Sequence, residues 1–501
     1  MSLNFCDVLI WGSDLSGIIA GTLLAKRGLN VLVLDDEAEY IRTPNLLTGL
    51  GSRAFKSLLS KLMIPESKLQ AIQENETSYQ ILLPKNRVDI STHRPLLMKE
   101  MNREFPEHRT LIEELFQEVD RLREAHLDEI SSYLPFVGGL HDKEKNAFIK
   151  WFKEFPDEKL RDIWNRLPHE IKFFIESRIF FLTAVPLMEM NPPVLQLLYF
   201  LPPEVGSTYS IKNGGGEREL KKVFFERLDY FGGMIHPLRN DTIEFLHKGQ
   251  ELRGIQLGRF SFPTRCRYVI GNLSIKSLYK DLPTPLLSML NRTKKKVAEL
   301  SPRGIRRVIQ YHTEKEFLPE PLKENSVYVS DLQKPLEGVN YLEMNQTPLN
   351  KDLKAEDNFD TLLTVSLFQT LSEYNEEAPP PPLSTETLEV IDSKLEKLFP
   401  FIKGHIKRIF PAPPSTESDP ELFPQKTDET PEEIQWVYPS SIFFPTVSSP
   451  YKNMFVAGPN ILDWLGMDGK ILTATRVVEL IWESEQKLTN KDGKARLFQK
   501  K

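Results

Sequence analysis

The chain has 501 residues, with 64 Lys+Arg against 70 Asp+Glu, two cysteines and nine histidines. That near-balance of charge leaves no basic footprint for nucleic acid. Two cysteines cannot build a disulfide framework, and the histidines form no HxxxH or HExxH pair of the kind that holds a transition metal.

The start, MSLNFCDVLIWG, lacks a basic segment followed by a long apolar one, so no secretory signal is expected. The expected location is cytoplasmic, in keeping with the sparse cysteines. Residues 6 to 35 read as strand, turn, helix and strand: CDVLIW, GSDLSG, IIAGTLLAKRG and NVLVLDD. From Arg109 onward, Ile112, Leu115, Phe116, Val119 and Leu122 recur at helical spacing among charged residues, and helical character continues to about residue 200. The most apolar stretch runs from Phe173 to Leu201. Glu176, Arg178, Glu189 and three prolines interrupt it, so it is not a spanning helix. Buried core helices are the plain reading. A greasy channel or a surface in peripheral contact with a membrane is the sharper one.

Residues 214 to 272 return to α/β character. A glycine-rich start leads into a helix, then MIHPL, TIEFLHKGQELRGIQL and RYVIGN read as short strands with a turn near Lys248–Gly249. Residues 286 to 300 read as helical. Pro379 to Pro382 and the six prolines between Pro411 and Pro431 read as surface connectors. KNMFVAG is a strand, KILTATRVVELIWESEQ a helix, and NKDGKARLFQKK a frayed basic tail.

The N-terminal βαβ unit carries the most chemistry. A dinucleotide-binding unit needs glycines for a tight turn, for backbone approach to the pyrophosphate and for close helix packing. The spaced positions here are Gly12, Asp14 and Gly17, with Ser13 in the same turn. Gly28 ends the helix, and Asp35, 23 residues after Gly12, closes the second strand where an acid would meet ribose hydroxyls. Asp14 is the anomaly. A carboxylate at the helix N-terminus adds bulk and like charge where phosphates would bind, and it can itself cap the free N–H groups. Two readings stay open. Either Asp14 occupies the anion position in place of a cofactor phosphate, or it points aside and the cofactor binds with a shifted phosphate.

Three blocks in this order resemble the FAD-dependent flavoprotein superfamily of phytoene desaturases, carotenoid isomerases and amine oxidases. They are DVLIWGSDLSGIIAGTLLAKRGLNVLVLD, then GGGERELKKVFFERLDYFGGMIHPL leading to YVIGNLSIKSLYKDLP, then NMFVAGPNILDWLGMDGKILTATRVVELI. The resemblance implies an α/β (α+β overall) fold with a Rossmann-like FAD/NAD(P)-binding domain of the glutathione-reductase type. Residues 1–60, 205–275 and 440–485 would form that domain. Residues 61–204 and 276–439 would form an interleaved substrate or partner domain, and 486–501 a flexible tail.

The resemblance implies cofactor contacts at Gly12, Ser13, Asp14, Gly17, Asp35, Gly458, Gly466 and Gly469. Several positions depart from the family. Asp14 replaces a glycine, Asp35 a glutamate and Pro459 an acid. Asp463 and Trp464 stand where Pro and Gly are usual, and EAEYIRTPNLLTGLGS lacks the Gly-Gly-Arg segment. A Trp side chain, with on the order of 200 Å² to bury, either stacks on a flavin or fills its place.

Two functions follow from the resemblance. One is an FAD-dependent oxidoreductase with a weakened or altered FAD site, acting on or binding a hydrophobic small molecule. The other is a non-catalytic relative without FAD, binding a protein partner or a prenyl group as Rab escort and GDP-dissociation-inhibitor proteins do. A nicotinamide enzyme fits less well, because the C-terminal block has no role in it. No catalytic base is identified. His236 reads as a structural histidine, and Asp463 and Asp468 as solvated loop acids.

Overall fold

The computed structural model describes residues 5–36, 46–48, 50–69, 72–74, 79–133, 150–151, 154–183, 194–206, 208–211, 216–238, 243–258, 263–282, 295, 297, 304–349, 359–370, 383–410, 435–437, 447 and 449–498. The chain opens with β1 (Phe5–Trp11), α1 (Leu15–Lys26) and β2 (Val31–Asp35). Next come β3 (Leu46–Thr48), α2 (Arg53–Leu62), β4 (Ile72–Glu74), β5 (Tyr79–Leu82) and β6 (Arg87–Ile90). Five helices follow: α3 (Arg94–Glu104), α4 (Arg109–Tyr133), α5 (Glu158–Arg166), α6 (His169–Thr183) and α7 (Val194–Phe200). β7 (Thr208–Ile211) and α8 (Gly216–Tyr230) lead to β8 (Met234–Pro237), β9 (Ile243–Lys248), β10 (Glu251–Leu257), β11 (Thr264–Gly271) and α9 (Ile275–Asp281). The remaining elements are β12 (Gly304–Thr313), β13 (Asn325–Val329), β14 (Tyr341–Pro348), β15 (Thr361–Thr370), α10 (Thr385–Leu398), β16 (Ile406–Phe410), β17 (Gln435–Val437), β18 (Met454–Val456) and α11 (Gly466–Phe498).

A seven-stranded sheet has the order β8-β2-β1-β11-β10-β9, with β18 also beside β11. From β8 through β2, β1 and β11 to β18 every pairing is parallel. Parallel strands are covered on both faces, which explains why VLIW and VLVL are unbroken apolar runs. α1 packs between this sheet and helices α8 and α11. Its residues from Leu15 to Thr22 are all buried. A helix enclosed on every side needs no polar stripe, so IIAGTLLA has none. Cys6 and Cys266 lie opposite each other across β1 and β11, buried and unbridged. Burial pushes both thiols up, Cys266 to about 12, so they act as apolar packing groups.

An eight-stranded sheet has the order β16-β12-β15-β14-β13-β5-β6, with β17 pairing the start of β12. One face packs Ile309, Leu342, Met344, Leu363 and Val365 against Leu388, Ile391 and Leu395 of α10. The other meets α6: the Phe180 ring lies tilted to Tyr341 at 4.7 Å and edge-on to Phe368 at 5.5 Å between ring centres. Arg306 and Glu343 form an ion pair on this face, 1% and 2% exposed. β3, β7 and β4 form a separate three-stranded sheet.

The structure settles the character of the apolar stretch for its described residues. Phe173 to Thr183, apart from Glu176, and Val194 to Leu201 are buried in the main core. Among the described residues, no helix is long and apolar enough to cross a membrane. α11 extends to Phe498, over most of the NKDGKARLFQKK segment. Glu, Gln, Lys, Ala and Arg are good helix formers, and the single Gly493 is tolerated. The expected helix over 286–300 and both proline-rich segments lie largely or wholly outside the described residues.

Candidate functional site

Gly12 ends β1 with φ of +103°, a conformation glycine adopts without steric cost. The turn it makes presents Asp14 as the N-cap of α1. Asp14 Oδ1 accepts the Ser16 backbone N–H at 3.1 Å and the Ser16 hydroxyl at 2.5 Å. Its Oδ2 accepts from Lys470 Nζ at 2.6 Å. Lys470 lies in the second turn of α11, 456 residues along the chain. The carboxylate is fully buried, while the Lys470 side chain keeps 20% of its surface in solvent. Burial opposes the negative charge. The Lys470 ammonium, its hydrogen bond, the Ser16 bond and the nearby Lys221 outweigh burial, holding Asp14 below the ordinary carboxylate range.

Ser13 beside it is also engaged. Its N–H and its hydroxyl both donate to Asp36 Oδ1, at 3.0 and 2.8 Å. Asp35, the acid singled out by spacing, ends β2 in register with Pro237 and is half-buried. Its carbonyl accepts from Leu238 N at 2.7 Å. The Asp36 side chain, one residue along, reaches the β1–α1 turn.

The other glycines face the chain's own atoms. A side chain on Gly17 would collide with the Asn272 amide, which follows β11 and donates to the Ala457 carbonyl. Side chains on Gly458 and Gly469 would collide with the carbonyls of Leu273 and Leu462. Gly466, at φ +55°, starts α11 close to Leu182. The fold thus gathers Gly12, Ser13, Asp14 and Gly17 with Gly458, Gly466 and Gly469. Lys470, Asp36 and Asn272 complete the cluster, and no sequence spacing pointed to them.

Trp464 is fully buried in the short turn before α11, and that turn contacts α6 and α7. Asp463 accepts the Trp464 N–H at 2.8 Å and so shapes the turn. Asp468 is a correction: its Oδ1 is sealed from solvent, without a hydrogen-bond partner among the described residues. Burial pushes this carboxyl up to about 6, with Ser52 and Arg123 only partly opposing. His236 is half-buried in β8, as expected of a structural histidine. Among the described residues, no cluster of three or more His, Cys, Asp or Glu is placed to hold a metal.

The raised carboxyl makes a pH prediction. The folded state disfavours the Asp468 charge relative to the unfolded chain. That penalty is absent below about 3.8, builds as the pH rises towards about 6, and is complete above it. Asp468→Asn should therefore stabilise the protein at pH 7, by at most about 3 kcal/mol. The gain should vanish near pH 4. Urea unfolding of both proteins across this range checks it, and a gain independent of pH would contradict it.

No protein-family model matches this chain, and no curated protein matches it. Solved structures do. An oxidoreductase from Methanosarcina mazei aligns over 94% of this chain and 100% of its own, at TM-score 0.56 and 14% identity. A protein from Pyrococcus furiosus aligns over 95% and 97%, at 0.55 and 14%. Putrescine oxidase, solved with putrescine bound, aligns over 96% and 99%, at 0.51 and 14%. The chain shares the fold of these solved structures. In such a dinucleotide-binding βαβ unit, the pyrophosphate sits at the N-terminus of the first helix. In this chain that end of α1 holds the Asp14 carboxylate.

Proposed function

We propose that this protein is an oxidoreductase-fold protein with an altered FAD site, working as a binding scaffold for a hydrophobic molecule or a protein partner. The observation that carries the reading is Asp14. Its carboxylate is buried at the helix end where the fold places a diphosphate, and two negative groups cannot share that end without strong repulsion. The cofactor's residues do not fit in the ordinary pose for further reasons. Ser13 is bonded to Asp36, which ties up the turn. Trp464 is packed into the core, where the family has a glycine.

A second reading has one observation behind it. Asp468, with its carboxyl held near 6 at the start of α11, is a group able to exchange a proton close to neutral pH. That favours an oxidoreductase that takes FAD in a shifted pose.

A visible absorption spectrum of the purified full chain, repeated after denaturation, separates the two. The expected protein is colourless and releases no flavin. Stoichiometric flavin would defeat the altered-site reading and favour the second.

A further inference from the structure

We propose that the Asp14–Lys470 ion pair is an internal substitute for the cofactor's diphosphate, which lets the chain complete its fold without a dinucleotide and excludes one. This rests on the altered-site reading and says what does the altering. A helix N-terminus carries free N–H groups and partial positive charge, and an anion must answer both. Asp14 answers them from within: Ser16 N–H and Oγ–H on one oxygen, Lys470 on the other. The lysine matters because a lone carboxylate this deeply buried would protonate or destabilise the fold. It also reaches in from α11, so a single contact ties the first helix to the last. The neighbouring Ser13–Asp36 bonds act in the same sense, joining the turn to the end of β2 without a ligand between them.

The substitution is reversible by design of an experiment, because Lys470 retains access to water. Removing the Asp14 side chain leaves a helix N-terminus and an ammonium facing the same place, the two features that bind phosphate. Asp14→Gly should therefore gain affinity for FAD and for ADP by at least about tenfold over wild type, a shift of 1.4 kcal/mol. Quenching of flavin fluorescence reads the first, and calorimetry the second. Ligand should also raise the melting temperature of Asp14→Gly and leave that of wild type unchanged. Asp14→Gly/Lys470→Met should lose the gain.

Asp14→Asn, which keeps the cap and the shape, guards against a variant that does not fold. It should show a smaller gain, since the charge is gone and the bulk remains. A folded Asp14→Gly that binds no better than wild type overturns the proposal. So does an equal gain in the double variant, or, if Asp14→Gly does not fold, an Asp14→Asn that gains nothing. If wild type itself carries flavin, the altered-site reading fails with it. If wild type is colourless and the variants gain nothing, that reading stands and only the internal substitution falls.

Discussion

Lys470→Met should lower stability by about 2–4 kcal/mol at pH 7, one of the two largest single-site losses expected in this molecule. Breaking a buried ion pair by removing one partner typically costs about 3–5 kcal/mol, because the surviving charge stays desolvated. The range is set lower here because a fifth of the Lys470 side chain meets water, which screens the pair. Asp14→Asn/Lys470→Met should recover most of the loss, since no charge is then left alone. The pH dependence has a definite sign. In wild type the Asp14 carboxyl is held below its unfolded value, so its stabilisation is present above the ordinary carboxylate range and fades on acidification. Without Lys470 the largest interaction opposing burial is gone, so the charge costs more in the variant and acidification should relieve part of its loss. The gap between wild type and Lys470→Met should therefore narrow towards pH 4. A constant gap in urea melts would mean that Asp14 is not charged in the folded protein.

The second large effect lies between the eight-stranded sheet and α6. Arg306 and Glu343 are almost completely buried, and the guanidinium sits 5.9 Å from the ring centre of Phe180. Glu343 also accepts from the Tyr341 hydroxyl at 3.2 Å. Among the described residues Arg306 Nε and Nη2 have no hydrogen-bond partner, so the pair is incompletely satisfied there. Glu343→Gln should cost about 3–5 kcal/mol by stranding the guanidinium. Arg306→Met/Glu343→Leu should be neutral or stabilising, because the unsatisfied N–H groups leave with the charge. Chemical denaturation of the single and double variants decides this. A double variant as unstable as Glu343→Gln would show that the ion pair contributes net stability.

The parts of this fold with a clean period were legible from residues alone. CDVLIW, NVLVLDD and the helix between them announce a parallel βαβ unit, and the amphipathic spacing from Ile112 to Leu122 marks α4. The eight-stranded sheet was not legible. Its strand GIRRVIQYHT buries both Arg306 and Arg307, and TLLTVSLFQT buries Thr364 and Ser366, so the polar–apolar alternation that marks a half-buried strand is lost. The candidate site divides the same way. Gly12, Asp14 and Gly17 stand out because a local turn demands a local pattern. Lys470 belongs to the site only because α11 packs on α1, and nothing in its neighbourhood records that. Asp36 contacts the turn through Ser13, and spacing alone does not separate adjacent acids at the end of a strand.

The strand order also sets a schedule for synthesis. β1 lies beside β11, some 260 residues later, and β11 waits for β18, nearly 200 residues later again. Contacts this distant are slow to form, and a growing chain cannot hold them in advance. Until residues 454–456 emerge from the ribosome, β11 presents an open edge that invites pairing with another chain. Until Lys470 follows, Asp14 lacks its hydrogen-bonded ion-pair partner and is costly to draw out of water. The N-terminal unit, first to be made, is thus among the last to be sealed, and its nascent form is the stage at which this protein most needs shielding from its neighbours.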